Sequence, residues 1–248
     1  MPYRALELTE AAAYLHLNPS ELEQLVRTSD IPHQRRGSRI VFLRGELDAW
    51  ASQRILGLPL KRLTTYHRQS TSGTRAVFNQ DALMPELVRP DYIAPAMTSK
   101  ARKSLIRDLA EFAASTGRVL DPTELRTSVE ARENLCSTAL PGGLALLHCR
   151  NHQPYRFDGS FLVLGRTLQE IHFGAPDGQP SWLFFLICCQ DERLHLHALA
   201  RLCLMTQTTD LVPRLLSAPG AAAMHDILIA TELTALMGKK AEAPPAPA

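Results

Sequence analysis

Apolar residues near the start of the chain recur at spacings of three and four residues, a period typical of helices with one buried face. The segment EAAAYLHL predicts a first helix, and a second begins directly after Asn18, where Pro19 and Glu21 complete a helix-start pattern. HQRRGSRIVFL then predicts two short strands joined by a turn, and RGELDAWASQRIL predicts a third helix. Residues 1–56 are therefore expected to form a helix–turn–helix module with a hairpin wing.

The hydrophobic pattern changes beyond residue 83. Helical spacing covers residues 100–115, and a further helix is expected from Asp121–Pro122 toward Leu135. Three short apolar runs, LALLH, SFLVLG and SWLFFLICC, then predict buried strands, and helical patterns follow over 194–205 and 221–237. Strands interleaved with helices predict an α/β fold for residues 83–237.

The segment between these two regions, residues 57–82, is polar and rich in turn-forming residues, so we expect a linker. From Asp48 to Asp81 the chain carries five basic residues and no acidic one between them, namely Arg54, Lys61, Arg62, Arg68 and Arg75. Such a segment fits either attraction to phosphates or a solvated linker. The Pro- and Ala-rich residues 238–248 are expected to be a disordered tail.

Composition limits the classes of protein to consider. A length of 248 residues with 45% hydrophobic content suits two domains with real cores. No window reaches the roughly 18 apolar residues of a membrane helix, and MPYRALELTE lacks the apolar stretch of a secretory signal, so we expect a cytoplasmic protein without membrane insertion. The five cysteines follow no disulfide or zinc spacing, and neither a metal nor a cofactor is expected.

The N-terminal module has a basic hairpin, although its arginines and acidic residues balance overall. Residues 1–55 hold seven arginines and seven acidic residues. The expected DNA contacts are Arg27 on the second helix and the wing residues Arg35, Arg36 and Arg39. Glu21 and Glu23 on the same helix oppose phosphate binding, so two interpretations stay open, a DNA-binding module and a module that docks on a protein.

The module also resembles a known family. LTEAAAYLHLNPSELEQLVRTSDIP, followed by GSRIVF and GELDAW, is similar to the excisionase-like and MerR-like winged helix–turn–helix proteins. This resemblance covers residues 7 to about 56. It implies that residues 20–28 correspond to the recognition helix and residues 33–42 to the wing.

His148 stands apart from the other histidines. It follows the turn at residues 141–143 and the apolar strand residues 144–147, so it emerges where a strand ends, a place where scaffolds present catalytic groups to solvent. Seven of the other eight histidines, including His67 in the expected linker and His197, fit no pattern of a site. His195 and His197 lie two positions apart on a predicted helix and so on different faces, which argues against joint metal binding.

A longer resemblance covers residues 83 to about 236. MTSKARKSLIRDLAEFAASTGRVLDPTELRTSVEARENLCSTALPGGLALLH, with HFGAPDGQPSWLFFLICC, HLHALARL and DLVPRLLSA, resembles the enzyme IIA domain of the fructose, mannitol and nitrogen-regulatory branch of the bacterial phosphotransferase system. The family implies a mixed sheet flanked by helices. It also implies acceptance of a phosphoryl group on one histidine from an HPr-type phosphocarrier protein.

Residue by residue, the resemblance assigns the phosphorylated histidine to His148, the second active-site histidine to His195, and the arginine of the family's Arg-Glu pair to Arg132. An imidazole is a competent nucleophile near neutral pH, and the arginine and second histidine supply donors to the transferred phosphoryl group. The chain departs from the family by placing Leu147, and not proline, before the reactive histidine.

These observations predict a regulator in which the phosphorylation state of His148 controls binding of DNA or of a protein target by the N-terminal module. We expect a phosphoryl carrier here, and not an enzyme with turnover. Two alternatives remain. The chain is either a phosphocarrier in sugar uptake whose module is a docking element, or a DNA-binding regulator with an inactive IIA-like domain.

Overall fold

The computed structural model describes residues 5–74, 82–150 and 153–240. The N-terminal module contains the helices and the hairpin that the sequence predicts, and α2 begins at Pro19, directly after Asn18. The first helix lies earlier than expected, because it ends at Tyr14 and not at Leu17. Its elements are β1 (Ala5–Leu6), α1 (Leu8–Tyr14), α2 (Pro19–Arg27), β2 (Gln34–Arg36), β3 (Arg39–Leu43) and α3 (Arg44–Leu56). The hairpin strands β2 and β3 pair antiparallel, and β1, which the pattern did not reveal, adds to the other edge of β3.

The structure differs from the expected linker over residues 57–82. A helix, α4 (Leu60–Thr74), occupies much of this segment. Leu63, Tyr66, His67 and Ser70 are all buried, and these positions recur at helical spacing along one face. Polar residues on that face disguised the helix, because its buried side meets polar partners in the C-terminal domain. Residues 75–81 lie outside the described part of the chain.

The C-terminal domain alternates helices and strands. Its elements are α5 (Met84–Leu87), β4 (Ile93–Met97), α6 (Arg102–Ser115), α7 (Pro122–Glu133), β5 (Ala139–Leu140), β6 (Leu144–His148), β7 (Phe161–Ile171), β8 (Ser181–Cys188), α8 (Glu192–Thr208), α9 (Leu211–Ser217) and α10 (Ala221–Lys240). The α10 helix includes the first residues of the expected tail, and residues 241–248 lie outside the described part.

Five strands form a mixed sheet in the order β4-β7-β8-β6-β5. The pairs β4–β7 and β6–β8 are parallel, whereas β7–β8 and β5–β6 are antiparallel. The α/β fold expected for this region is confirmed. The two edge strands escaped prediction because β5 has two residues and β4 contains Pro95, which weakens a strand pattern.

Side chains alternate between the two faces of the sheet and divide the core into two layers. Ala145 and Leu147 of β6 pack with residues of α6 and α7. Leu144 and Leu146 face the opposite way, toward α8 and α10. This second layer runs without interruption into the N-terminal module, where Leu22 and Phe42 belong to the same apolar cluster.

None of the helices in the described ranges combines the length and the hydropathy needed to cross a lipid bilayer.

Candidate functional site

His148 is the last residue of β6, where the strand leaves the sheet. Its Nδ1 lies 2.9 Å from the carbonyl oxygen of Leu146. A carbonyl oxygen can only accept, so this contact requires the proton on Nδ1 and leaves the lone pair on Nε2. The strand end therefore fixes the tautomer and directs the nucleophilic nitrogen away from the backbone.

Arg132 meets that nitrogen from α7. Its Nε donates to Nε2 of His148 at 3.0 Å, and its Nη1 donates to the carbonyl oxygen of Cys136 at 3.1 Å. Within the described residues, Nη2 of Arg132 is buried and has no hydrogen-bond partner. One edge of the guanidinium is thus held in place, while one donor remains available beside the imidazole.

His195 completes the group from the first turn of α8. Asp191 caps this helix by accepting from the backbone N–H of Leu194 at 2.9 Å, which fixes where the helix begins and so where His195 lies. The rings of His148 and His195 have centroids 4.8 Å apart at an angle of 50°. The structure therefore brings together all three residues singled out in the sequence, from three separate elements.

Glu133, the neighbour of Arg132, has a different task. Its carboxylate accepts from the backbone N–H of Thr138 at 3.1 Å, from the hydroxyl of the same residue, and from Arg102 at 2.8 Å. Burial raises the pKa of this carboxyl, and these hydrogen bonds and arginines oppose that shift. Glu133 thus anchors the loop leading into β5, while Arg132 faces the histidines.

The expectation that His148 opens to solvent is wrong for this structure. His148 is 2% exposed, Arg132 1% and His195 0%. Arg132 and the ring of His195 lie against His148. His195 is itself covered by α3, which packs on α8 and places the hydroxyl of Ser52 3.4 Å from Nε2 of His195. The strand end is at the rim of the sheet, and the N-terminal part of the chain covers the site on the side of His195.

Comparison with known proteins identifies this arrangement. The family model described as phosphoenolpyruvate-dependent sugar phosphotransferase system, EIIA 2, matches residues 86–230, more than half of the chain. The chain belongs to the EIIA 2 family. A model described as helix-turn-helix domain matches residues 5–55, so the EIIA domain follows a helix–turn–helix module.

Relatives of the EIIA domain cover the same region. A nitrogen regulatory protein of Bradyrhizobium diazoefficiens is 30% identical over 152 residues, which are 60% of this chain and 97% of the relative. Two solved structures share the fold. IIA-Ntr from Neisseria meningitidis has a TM-score of 0.54 at 23% identity over 59% of this chain and 99% of its own. IIA mannitol from Escherichia coli has a TM-score of 0.50 at 17% identity over 57% and 98%.

The glycines before β6 of the EIIA domain serve the turn and not the site. Gly142 and Gly143 both have φ of +91°, a conformation that side chains rarely adopt. They precede the strand, whereas His148 ends it. Cys149, next to His148, is buried, and burial raises the pKa of its thiol, which makes it a poor nucleophile.

A second buried polar cluster lies further along α8 of the EIIA domain. His197 is 2.7 Å from the hydroxyl of Ser70 on α4, and its ring centroid is 4.6 Å from that of His67. Arg201 donates to Nε2 of His67 at 2.6 Å and pairs with the buried carboxylate of Glu232. Sequence reasoning discounted both His67 and His197. Their only signal was the helical spacing of His67 and Ser70 with the apolar residues of α4.

The four candidate DNA-contacting arginines are exposed but do not share one surface. Arg27 and Arg35 line a groove of about 620 Å³ between α2 and the hairpin, together with Glu23. Arg36 and Arg39 form a cross-strand pair at the hairpin tip, and Arg39 lies 3.6 Å from Glu7 in an exposed ion pair. The groove is thus a concave surface of the module with two exposed arginines.

Proposed function

We propose that this protein is a regulator that accepts a phosphoryl group on Nε2 of His148 from an HPr-type phosphocarrier, and that its helix–turn–helix module converts the phosphorylation state into binding of DNA. The convergence of Arg132 and His195 on His148 carries this proposal. Membership of the EIIA 2 family supports the phosphotransferase half, and the helix–turn–helix match supports the regulatory half.

The chemistry follows from the tautomer. Nε2 attacks the phosphorus of the carrier's phosphohistidine, and a new N–P bond forms as the old one breaks. The electron pair of the broken bond stays on the carrier's imidazole. Phosphoryl transfer of this kind depends mainly on positioning and on stabilising charge. The chain supplies the positioning through the contact between Nδ1–H of His148 and the Leu146 carbonyl.

Arg132 suits the incoming anion. A buried guanidinium donor without a partner is energetically unfavourable, and an anionic oxygen placed beside it removes that cost. Nη2 of Arg132 is such a donor, on the same guanidinium whose Nε contacts Nε2 of His148. As transfer proceeds, the arginine can shift its hydrogen bonds from the imidazole to the phosphoryl oxygens.

Labelling tests the acceptor. The full chain is incubated with a purified ³²P-labelled HPr-type carrier, and we expect acid-labile label on His148, as located by mass spectrometry. His148→Ala should abolish the label, whereas His172→Ala, which alters an exposed histidine elsewhere in the domain, should leave it unchanged. Equal labelling of the His148→Ala chain, with its melting temperature preserved, would refute the assignment.

A second candidate function has its own supporting observation. With His148 only 2% exposed, an EIIA domain that has become a scaffold for the helix–turn–helix module also fits. In that case the full chain takes no label from the carrier, yet it still binds DNA.

DNA binding is tested by its salt dependence. Fluorescence anisotropy with duplex DNA gives the binding constant at several salt concentrations. The slope of log binding constant against log salt concentration should become shallower by about one for each phosphate contact removed. We expect this loss for Arg27→Ala and Arg35→Ala, which line the groove beside α2. Arg107→Ala on α6 is the matched control. If the full chain shows no salt-dependent binding to duplex DNA, the DNA-binding proposal is overturned in favour of a protein-docking module.

A further inference from the structure

Two helices from the N-terminal part of the chain, α3 and α4, cover the face of α8 that carries His195, and we call this pair the cap. Ser52 of α3 is itself buried, and its hydroxyl lies 3.4 Å from Nε2 of His195. On the other side of that imidazole lies His148, with ring centroids 4.8 Å apart. A second molecule approaching the site from the side of α8 therefore meets the cap first.

Ser52, His67 and Ser70 of the cap each contact a polar side chain of α8. Ser70 lies 2.7 Å from Nδ1 of His197, and Nε2 of His67 accepts from Arg201 at 2.6 Å. When such an interface separates, water replaces each hydrogen bond, so the net free-energy cost of breaking each bond is small. Apolar contacts between the cap and the rest of the chain, which include those of the fully buried Leu63, supply the rest of the stability of the closed arrangement.

Phosphoryl transfer requires this interface to open. The phosphorus of the carrier must come within bonding reach of Nε2 of His148, in line with the breaking N–P bond. The donor is a histidine on the surface of another protein, and that surface must contact the site. With His148 and His195 sealed, the closed arrangement excludes such contact.

We propose that the cap and the phosphocarrier compete for the same face of α8, so that the helix–turn–helix part of the chain regulates phosphorylation of its own EIIA domain. The inference rests on the proposed acceptor role of His148. It also sets the direction of signalling. A phosphoryl group adds about two negative charges to a site that is buried when the cap is closed, and therefore favours the open arrangement.

Carbethoxylation of histidines by diethyl pyrocarbonate reports closure without any phosphotransfer. In the full wild-type chain, the exposed His172 should react at least about a hundredfold faster than His148, His67 and His197, as mapped by mass spectrometry. His67 of the cap and His197 of α8 face each other in the interface but lie outside the candidate site, so opening should expose them together with His148. If His148 of the wild type reacts as fast as His172, the claim that the cap closes the site is overturned.

Loosening the cap should then accelerate labelling. Leu63→Ala removes buried contacts of α4 and leaves Arg132, His148 and His195 intact. We expect a rise of about tenfold in carbethoxylation of the three protected histidines and a similar rise in the labelling rate from the ³²P-labelled carrier. The matched control is Leu109→Ala in α6, an equally buried leucine of the other core layer, which should change neither rate.

The possible outcomes separate the two claims. Equal labelling rates in wild type and Leu63→Ala, although the protected histidines have become reactive, overturn the competition and leave His148 as acceptor. If neither protein takes up ³²P label, although His148 of the variant reacts with diethyl pyrocarbonate, then His148 is not the acceptor. In that case the carrier also does not compete with the cap. If Leu63→Ala fails to fold, Ser70→Ala, which removes one polar contact of the cap, provides the same comparison.

Discussion

Asp48 is a buried carboxyl in the N-terminal module, far along the chain from His148 and His195. It lies on α3 and accepts a hydrogen bond from the hydroxyl of Tyr14. Burial raises its pKa from 3.8 to about 6, against the opposing effects of the Tyr14 hydrogen bond and of Arg44. Since the folded-state pKa lies above the unfolded value, ionised Asp48 destabilises the folded state at neutral pH, and the penalty disappears as the pH falls below 6.

We therefore predict that Asp48→Asn stabilises the protein at pH 7.5 by on the order of 2 kcal/mol, because the amide stays neutral and can still accept from Tyr14. Urea unfolding at pH 7.5 and pH 5 measures the effect, and the wild type should gain stability on acidification where the variant gains less. Glu46→Gln, an exposed change on the same helix, is the control. A variant less stable than wild type at pH 7.5 would contradict this account.

At the scale of elements, one carboxylate links α10 to two other helices of the domain, in addition to the apolar packing of α10. Glu232 accepts from the backbone N–H groups of Leu83 and Met84, at 2.8 and 2.9 Å, and pairs with Arg201 of α8. Both charged side chains are fully buried. A single residue thus accepts hydrogen bonds from the backbone N–H groups at the start of α5 and neutralises the charge of Arg201 on α8.

Removal of that carboxylate should be costly. We predict that Glu232→Ala lowers the free energy of unfolding by about 3–5 kcal/mol, because the Arg201 charge is left buried without its partner. Asp226→Ala, which removes an exposed carboxylate from the same helix, should change it by less than about 0.5 kcal/mol. Urea titration of both variants makes the comparison, and similar losses in the two would show that the ion pair is not what holds α10.

The sequence predicted the elements whose hydrophobic period was regular and missed those defined by their neighbours. The strand runs at 144–148 and 181–189 were evident because consecutive apolar residues need burial on both faces of a sheet. Helix α4 was hidden because His67 and Ser70 are buried by polar partners on α8. Local pattern could not predict the contact between Ser52 of α3 and His195, since it joins residues far apart in sequence.

At the scale of the whole molecule, the module and the EIIA domain share one apolar layer. We predict that they unfold together, in a single transition. The two tryptophans report on the two halves, Trp50 on α3 and Trp182 on β8. The variants Trp50→Phe and Trp182→Phe each retain one tryptophan. In each variant, the urea midpoint from tryptophan fluorescence should coincide with the midpoint from circular dichroism, which reports on the whole chain. Two separate midpoints would mean that the halves are independent domains.

The sealed histidine pair also determines where the sensitivity of the protein can be tuned. When a reactive group is reachable only in a minor open population, the observed rate is the intrinsic rate multiplied by that population. If one molecule in a hundred is open, transfer is slowed about a hundredfold with no change in the chemistry. Substitutions along α4, such as at Leu63, would then adjust the threshold of the response, while the residues that handle the phosphoryl group stay the same.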